Sequence, residues 1–382
     1  MRILTVSHFY ESHGGGIERV AAQLCREFTN AGHNATWAAS DNDASPPDTT
    51  ATSVPLQCID PAERITGLPM PTPMPSGLRS LNQAIKAADA VIIHDALYLT
   101  SIAATVLGRR AGKPVLLIQH IAAIPFKTIL LRGIMNLANR LITAPMLRAA
   151  DHVVYISATT ARAFAHISTV RSPIVLFNGV NAALFHDDAS SDGDIRVRFG
   201  LPIDRKLLFF VGRFVEKKGL RIIAELARTR PDLTIVLAGQ GPIDPLAWNC
   251  ANVHVLGPRS PDEIAMLYRS ADALLLPSVG EGYPLVIQEA MACGLPVICE
   301  NESAAADPEA GQWLCGVAVD LASPNQSAKR VAAAVDSIAM SDEIRHDMST
   351  WARSRYSWNN MAGVILSYFK PVNSHHNPPV LP

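Results

Sequence analysis

No stretch of this chain offers the roughly 18 uninterrupted apolar residues of a membrane-crossing helix. This holds although hydrophobic residues make up 48% of it and mean hydropathy is +0.16. Excess charge of either sign is lacking too: 33 Lys and Arg stand against 34 Asp and Glu, a net charge of −1. That balance removes the global electrostatic case for nucleic acid. The six Cys include no Cys-x-x-Cys pair, and no His-rich metal spacing accompanies them. They read as packed, reduced thiols of a cytosolic protein. The opening run Met1-Arg-Ile-Leu-Thr-Val is too short for a secretory leader and is soon broken by His8 and Glu11, so the expected location is the cytoplasm. One absence is local. From Ala96 to Ala150 there is no Asp or Glu, but there are Arg109, Arg110, Lys113, Lys127, Arg132, Arg140 and Arg148. A buried helix with snorkelling basic ends explains this; so does peripheral contact with anionic lipid through 124–147.

What is present is a series of short apolar runs separated by helical patterns, over a length sufficient for two domains. Ile3 to Phe9 reads as a first strand, followed by Ser12-His-Gly-Gly-Gly16. A helix from Ile17 to about Ala31 then carries Ile17, Val20, Ala21, Leu24 and Phe28 on one face, and Gly32 closes it. Strand, glycine loop and helix can bind phosphate, but the spacing is not Gly-x-Gly-x-x-Gly, and a tight turn without a ligand fits equally well. Thr36 to Ala39, Ala90 to Ile93, Pro114 to Ile118, Val153 to Ile156 and Ile174 to Phe177 read as further strands, with Asp41 to Pro75 as a loop-rich stretch. His94-Asp95 and Gln119-His120 stand at strand ends, where open parallel sheets gather ligands, although a lone His there is more often a structural hydrogen-bonder. Polar Asp187 to Asp194 reads as a linker, Lys206 to Arg213 as the start of a second strand series, and Trp351 to Phe369 as a closing helix pair.

The densest signal is Leu274-Leu-Leu-Pro-Ser-Val-Gly-Glu-Gly-Tyr-Pro-Leu-Val-Ile-Gln-Glu289. It reads as strand, loop and helix, with Gly280 and Gly282 in the loop and Pro284 at the first helical position. The amides of Leu285 and Val286 then face out of the helix start and, with the helix dipole, suit an anion such as phosphate. Glu281 and Glu289 bracket that place. Carboxylates repel phosphate but accept hydrogen bonds from sugar hydroxyls. A nucleotide sugar satisfies both, with one Glu for the sugar and one for the ribose; an acidic helix start with an exposed second Glu is the plainer alternative.

From Glu281 to Ile298 the chain resembles, almost residue for residue, the Glu-x7-Glu motif of the retaining GT-B glycosyltransferases of family 4, glycosyl transferases group 1. Similar correspondences run through Gly15-Gly16-Ile17-Glu18, Gly212-Arg213 with Lys218-Gly219, and Ala238-Gly239-Gln240-Gly241-Pro242. Asn178 to Phe185 resembles the family's hinge, with Asn181 where Asp is usual. The resemblance is strong from Phe209 to Ile298, moderate in the first half, and thin after Ile298, where Asn301 to Pro308 departs from the pattern. It implies an α/β fold of two doubly wound, Rossmann-like domains facing a central cleft. An acceptor-binding domain would occupy 1–185 and a nucleotide-sugar domain 190–355. A helix over 356–370 would cross back, and 371–382 would be a flexible tail. It implies an enzyme that moves a sugar from a UDP- or GDP-sugar to an acceptor hydroxyl, carbohydrate or lipid-linked, with the anomeric configuration retained. Glu281, Arg213, Lys218 and His120 would be catalytic. Gly15, Gly16, Gly239, Gly241, Gly282, Leu285, Val286 and Glu289 would bind the donor. No metal or other cofactor is implied: Arg213, Lys218 and the helix amides would meet the phosphate charge. Alternative readings are an epimerase of sugar nucleotides, a phosphorylase, and a non-catalytic sugar-nucleotide-binding protein; the last conflicts with the intact set Arg213, Lys218, Glu281 and Glu289.

Overall fold

The computed structural model of the protein describes residues 1–47, 50–60, 70–121, 133, 137–190 and 195–369. Its first half holds β1 (Arg2–Val6), β2 (Asn34–Ser40), β3 (Thr52–Leu56), a small ribbon of β4 (Cys58–Ile59) and β5 (Thr72–Pro73), then β6 (Ala90–His94), β7 (Val115–Gln119), β8 (His152–Tyr155) and β9 (Ile174–Val175). Its second half holds β10 (Leu207–Val211), β11 (Thr234–Ala238), β12 (Val253–Gly257), β13 (Ala273–Leu276), β14 (Val297–Glu300) and β15 (Leu314–Val317). Two parallel sheets result, ordered β3-β2-β1-β6-β7-β8-β9 and β12-β11-β10-β13-β14-β15. Helices cover both faces, so the central strands are continuous apolar runs. Val91, Ile92 and Ile93 are buried together, as are Leu274, Leu275 and Leu276.

Each sheet reverses its strand order once, between β1 and β6 and between β10 and β13. The carboxyl ends of strands beside such a reversal form a crevice where ligands bind. The helix Leu285–Ala292 leaves β13 at that point and is buried on nearly every side, with Met348 and Ala352 of the helix Asp342–Arg355 in the same core.

The reading of Asp41 to Pro75 as a loop-rich stretch is corrected by β3, which pairs in parallel with β2 from Thr36 opposite Thr52 to Ser40 opposite Leu56. This is an edge strand, half exposed and carrying Pro55, so it lacks the apolar run that marks a central strand. Pro284 is also not the first helical residue. Its extended ψ of 129° makes it the N-cap, and the helix starts at Leu285. The expected tail over 371–382 lies outside the described residues, as do 191–194 of the expected linker.

The chain joins its halves twice. The helix Trp358–Ser367 leaves the second half and buries Trp358, Met361, Ala362, Ile365 and Leu366 among Ile3, Val20, Leu24 and Phe28 of the first. Ser357 caps it by accepting from the Asn360 amide at 3.2 Å. Where the strand series crosses the other way, the Val180 amide donates to the Tyr356 carbonyl at 2.9 Å. A buried polar chain underlies this double crossing: the Tyr283 and Tyr356 hydroxyls lie 2.9 Å apart, and Tyr356 donates to Asp307 at 2.9 Å. Arg355 bonds the same carboxylate and sits 5.0 Å from the Phe177 ring centroid.

Gly179 tests this crossing. A Cβ there would overlap the backbone and indole of Trp358. Gly179→Ala should therefore cost about 1–3 kcal/mol in urea unfolding, as overpacking does. Gly363→Ala, at an exposed mid-helix position with open space around it, should gain about 0.5–1 kcal/mol. Equal stability of Gly179→Ala and the parent would contradict the packed crossing.

Candidate active site

Strand ends from both sheets meet at the crevice between them. From the second half, β10 delivers Gly212 and Arg213 and then the single turn Glu216–Lys218, while β13 delivers the loop to Pro284. Lys218 Nζ lies 3.0 Å from Glu281 Oε1 and Lys217 Nζ lies 3.7 Å from the same oxygen. Burial works to raise the Glu281 carboxyl, but the two lysines outweigh it and hold it below its ordinary value. It is an anion at neutral pH, in a loop that the Val279 amide fastens to the Lys217 carbonyl at 2.9 Å. At the helix mouth, Ile287 makes the first backbone bond, to the Pro284 carbonyl at 3.1 Å, so the amides of Leu285 and Val286 precede it. Arg213 is exposed and has no side-chain partner among the described residues. It is the unengaged cation of this set.

One turn deeper, Glu289 is 8% exposed. The Tyr268 hydroxyl donates to its Oε2 at 3.2 Å, and Arg19 Nη1 stands 3.7 Å from its Oε1. Burial raises this carboxyl above its usual value, against the pull of Arg19 and Tyr268. The two glutamates thus differ in kind: Glu281 is held ionised by two lysines, while Glu289 is deeply buried with a single distant cation. Gly239 and Gly241 lie where β11 ends, packed on the Gly212 carbonyl and the Phe214 backbone respectively, so any side chain would displace those loops.

The first half contributes the ends of β1, β6 and β7. His8 Nε2 pairs with Glu18 Oε1 at 2.7 Å, and the His8 ring stacks on Tyr98 with centroids 3.6 Å apart. Burial works to raise Glu18, and the His8 bond and charge overcome it. His94 Nδ1 lies 3.0 Å from His120 Nε2, both rings buried. Beside them Asp95 adopts the left-handed region at φ 62°, its carboxylate accepting from the amides of Leu97 and Ile121. Gly15 is occupied by Glu18, whose carboxylate fills the place of a Cβ; Gly16 faces open space.

The halves touch closely beside the loop after β13. Gly282 lies against the carbonyl of His120, at a distance no side chain would allow. Nearby the Ala158 amide donates to the Ala306 carbonyl at 2.7 Å. The structure therefore brings Glu281, Lys218, Gly282 and the helix mouth together, sets the His120 carbonyl against Gly282 while its ring faces His94, and joins Glu289 to the Gly15–Gly16 helix through Arg19. Sequence reasoning passed over Arg19, Lys217, Tyr268 and the His8–Glu18 pair. Arg19 and Lys217 adjoin quoted motifs, so adjacency could have flagged them; nothing in the spacing marks Tyr268. It also passed over the Asp-x-Asp spacing of Asp41-Asn42-Asp43 and of Asp192-Gly193-Asp194. Asp41 accepts from the Cys58 amide and Asp43 pairs with His13, while the second triplet lies outside the described residues. Among the described residues no group of three or more His, Cys, Asp or Glu is placed to hold a metal ion.

Comparison with known proteins adds two family matches: Glycosyl transferases group 1 over residues 192–355, and Glycosyltransferase Family 4 over residues 14–184. A curated relative, the D-inositol 3-phosphate glycosyltransferase of Corynebacterium urealyticum, is 29% identical over 200 residues, 46% of this chain and 45% of its own. The matched stretch thus spans under half of that relative's length. Among solved structures, sucrose-phosphate synthase from Thermosynechococcus elongatus superposes with a TM-score of 0.73 at 18% identity, covering 97% of this chain and 98% of its own. HepE of Anabaena, in complex with UDP and glucose, gives a TM-score of 0.66 at 18% identity over 96% and 99%.

The histidine pair gives the site a pH signature. Burial, with the charge of His8 added, pushes His120 down to about 3; burial, His120 and His8 push His94 well below its usual value. Below about pH 6.5 the unfolded chain takes up protons that the folded chain refuses, so stability falls as pH drops. The loss should approach about 1.4 kcal/mol per pH unit for each imidazole. Urea unfolding at pH 7.0 and 5.5 should show this, with a shallower slope in His120→Asn. An unchanged slope in that variant would mean that His120 titrates normally in the fold.

Proposed function

Since the chain belongs to the group 1 glycosyltransferases and has their GT-B fold, we propose that it transfers a sugar from a UDP- or GDP-sugar to an acceptor hydroxyl with retention of configuration. The observation that carries this reading is the meeting of Glu281, Lys218 and a free helix mouth with the His120 edge of the other half. The donor diphosphate sits at the amides of Leu285 and Val286, with Lys218 and the unengaged Arg213 taking up charge as the bond to the sugar breaks. Lys218 also touches Glu281, so it links leaving group and sugar. Glu281, kept ionised, orients the sugar and stabilises positive charge on its ring. Glu289 accepts from the ribose hydroxyls, Gly239 and Gly241 lie beside the base, and His120 borders the sugar. The leaving phosphate oxygen receives the acceptor proton on the face of attack. The complex of HepE with UDP and glucose supports a uridine donor. The D-inositol 3-phosphate glycosyltransferase relative supports a small phosphorylated polyol as acceptor.

One observation favours an acceptor at a membrane surface. Leu137 and Leu141 are 56% and 63% exposed beside Arg140, at the described end of the segment 124–147; Lys127 and Arg132 lie outside the described residues. Among the described residues no helix is long and apolar enough to cross a membrane, so the contact would be peripheral. Flotation should show binding to anionic vesicles, weakened by Leu141→Gln with Arg140→Gln. Equal, negligible binding to anionic and neutral vesicles would remove this part.

A panel of UDP-, GDP- and ADP-sugars, read by hydrolysis and thermal shift, tests the reaction class; a donor that neither stabilises nor turns over would sink it. The two glutamates should then fail differently. Ribose contacts are the same in ground and transition states. Glu289→Gln should raise KM for donor and weaken the free nucleoside diphosphate by about tenfold to a hundredfold, the value of a charged hydrogen bond. Glu281→Gln should lower kcat and spare nucleoside diphosphate affinity, since that product lacks the sugar. The reverse pattern in kinetics and calorimetry would exchange the two roles.

A further inference from the structure

Glu289 takes its two partners from different halves of the molecule. Tyr268 belongs to the helix Pro261–Ser270 of its own half and is fully buried, its ring 5.4 Å from Phe209 and 6.0 Å from Phe185. That packing fixes the direction in which the hydroxyl reaches Oε2. Arg19 belongs to the first helix, Gly16–Asn30, and crosses the crevice to Oε1. Its side chain is 52% exposed. The described charged or titratable groups that act on Glu289 are these two, with Cys293 near Tyr268 on the helix Leu285–Ala292.

We propose that Arg19 is a cross-domain positioning residue for the nucleoside: it steadies the Glu289 carboxylate from across the cleft while Tyr268 fixes the other oxygen, so the nucleoside site is complete only when the two halves meet. This rests on the reading of Glu289 as the ribose acceptor. The need for such a residue follows from burial. An ionised carboxyl at this depth is expensive unless a cation or donor faces it. A neutral carboxyl turns one of its two oxygens into a donor and keeps only part of the acceptor capacity that two ribose hydroxyls use. Burial does raise the Glu289 carboxyl, and Arg19 is the cation that opposes it. Exposure screens Arg19, so its contribution is small and depends on the separation of the halves. An acceptor-domain residue thereby enters nucleotide affinity without touching the nucleotide.

Calorimetry of UDP or GDP binding, whichever the donor panel selects, tests this between pH 5.5 and 8.5 on the full chain. Affinity should fall on the acid side as Glu289 takes up its proton. Arg19→Gln should weaken binding about twofold to fivefold near neutrality, the range of an exposed ion pair, and move that acid limb to higher pH. Arg19→Lys, which keeps the charge, should restore the limb. A loss of equal size at every pH, with the limb in place, would make Arg19 merely structural and overturn the proposal; so would parent-like binding throughout. Glu289→Gln separates the two claims. If it leaves nucleotide affinity intact, the ribose reading itself fails. If it weakens binding while Arg19→Gln does not, only the cross-domain role fails.

Discussion

The site depends on one van der Waals contact, that of Gly282 with the carbonyl of His120. It fixes the distance between the loop after β13 and the end of β7, two pieces of chain that share no sheet. Any side chain at Gly282 would hold those surfaces apart, and with them Glu281 and the imidazoles. Protein interiors transmit such small displacements rather than absorbing them. The glycine therefore acts by what it lacks: it lets the halves approach until groups of both border one crevice.

The two walls of that crevice follow different electrostatic rules. On the second-half side, charge is concentrated: Lys217, Lys218 and Arg213 surround an ionised Glu281 and a helix mouth with free amides. On the first-half side, charge at the strand ends is suppressed or matched within itself, while Arg19 reaches across to Glu289. His94 and His120 are kept neutral by burial, and Glu18 is answered by His8 at 2.7 Å. On the proposed reaction, a departing diphosphate would meet the first environment and an uncharged hydroxyl the second. Asp95, held at a positive φ by bonds from Leu97 and Ile121, is where the neutral wall carries backbone strain.

Much of this was legible in the sequence because parallel sheets write themselves as apolar runs and place their ligands at strand ends. The interior strands and the Gly282–Glu289 stretch could be read directly. The edge strand β3 could not, since Thr52-Ser-Val-Pro-Leu56 is half exposed and breaks the apolar run. Pairings between distant segments were also hidden. Lys218 and Glu281 were each visible as charges at loops, but their 3.0 Å contact depends on β10 and β13 being sheet neighbours. Tyr268 looked like any core aromatic on a helix face, because its hydroxyl gains meaning only from the carboxylate beside it. Arg19, exposed and a single step past the quoted loop, was hidden by the same rule: its partner comes from the opposite half.

The crossing helix Trp358–Ser367 has a consequence for how the chain is made. It fills the first half's core beside Val20, Leu24 and Phe28, residues that leave the ribosome more than three hundred positions earlier. Throughout that interval the first sheet can form its strand pairs and pack the helix Gly16–Asn30, but part of that apolar face stays uncovered, while the second half's core is complete once Tyr356 is out. The half translated first is thus the last to be sealed. A nascent chain halted before Trp358 would present that face to chaperones and proteases, and a full-length chain would not.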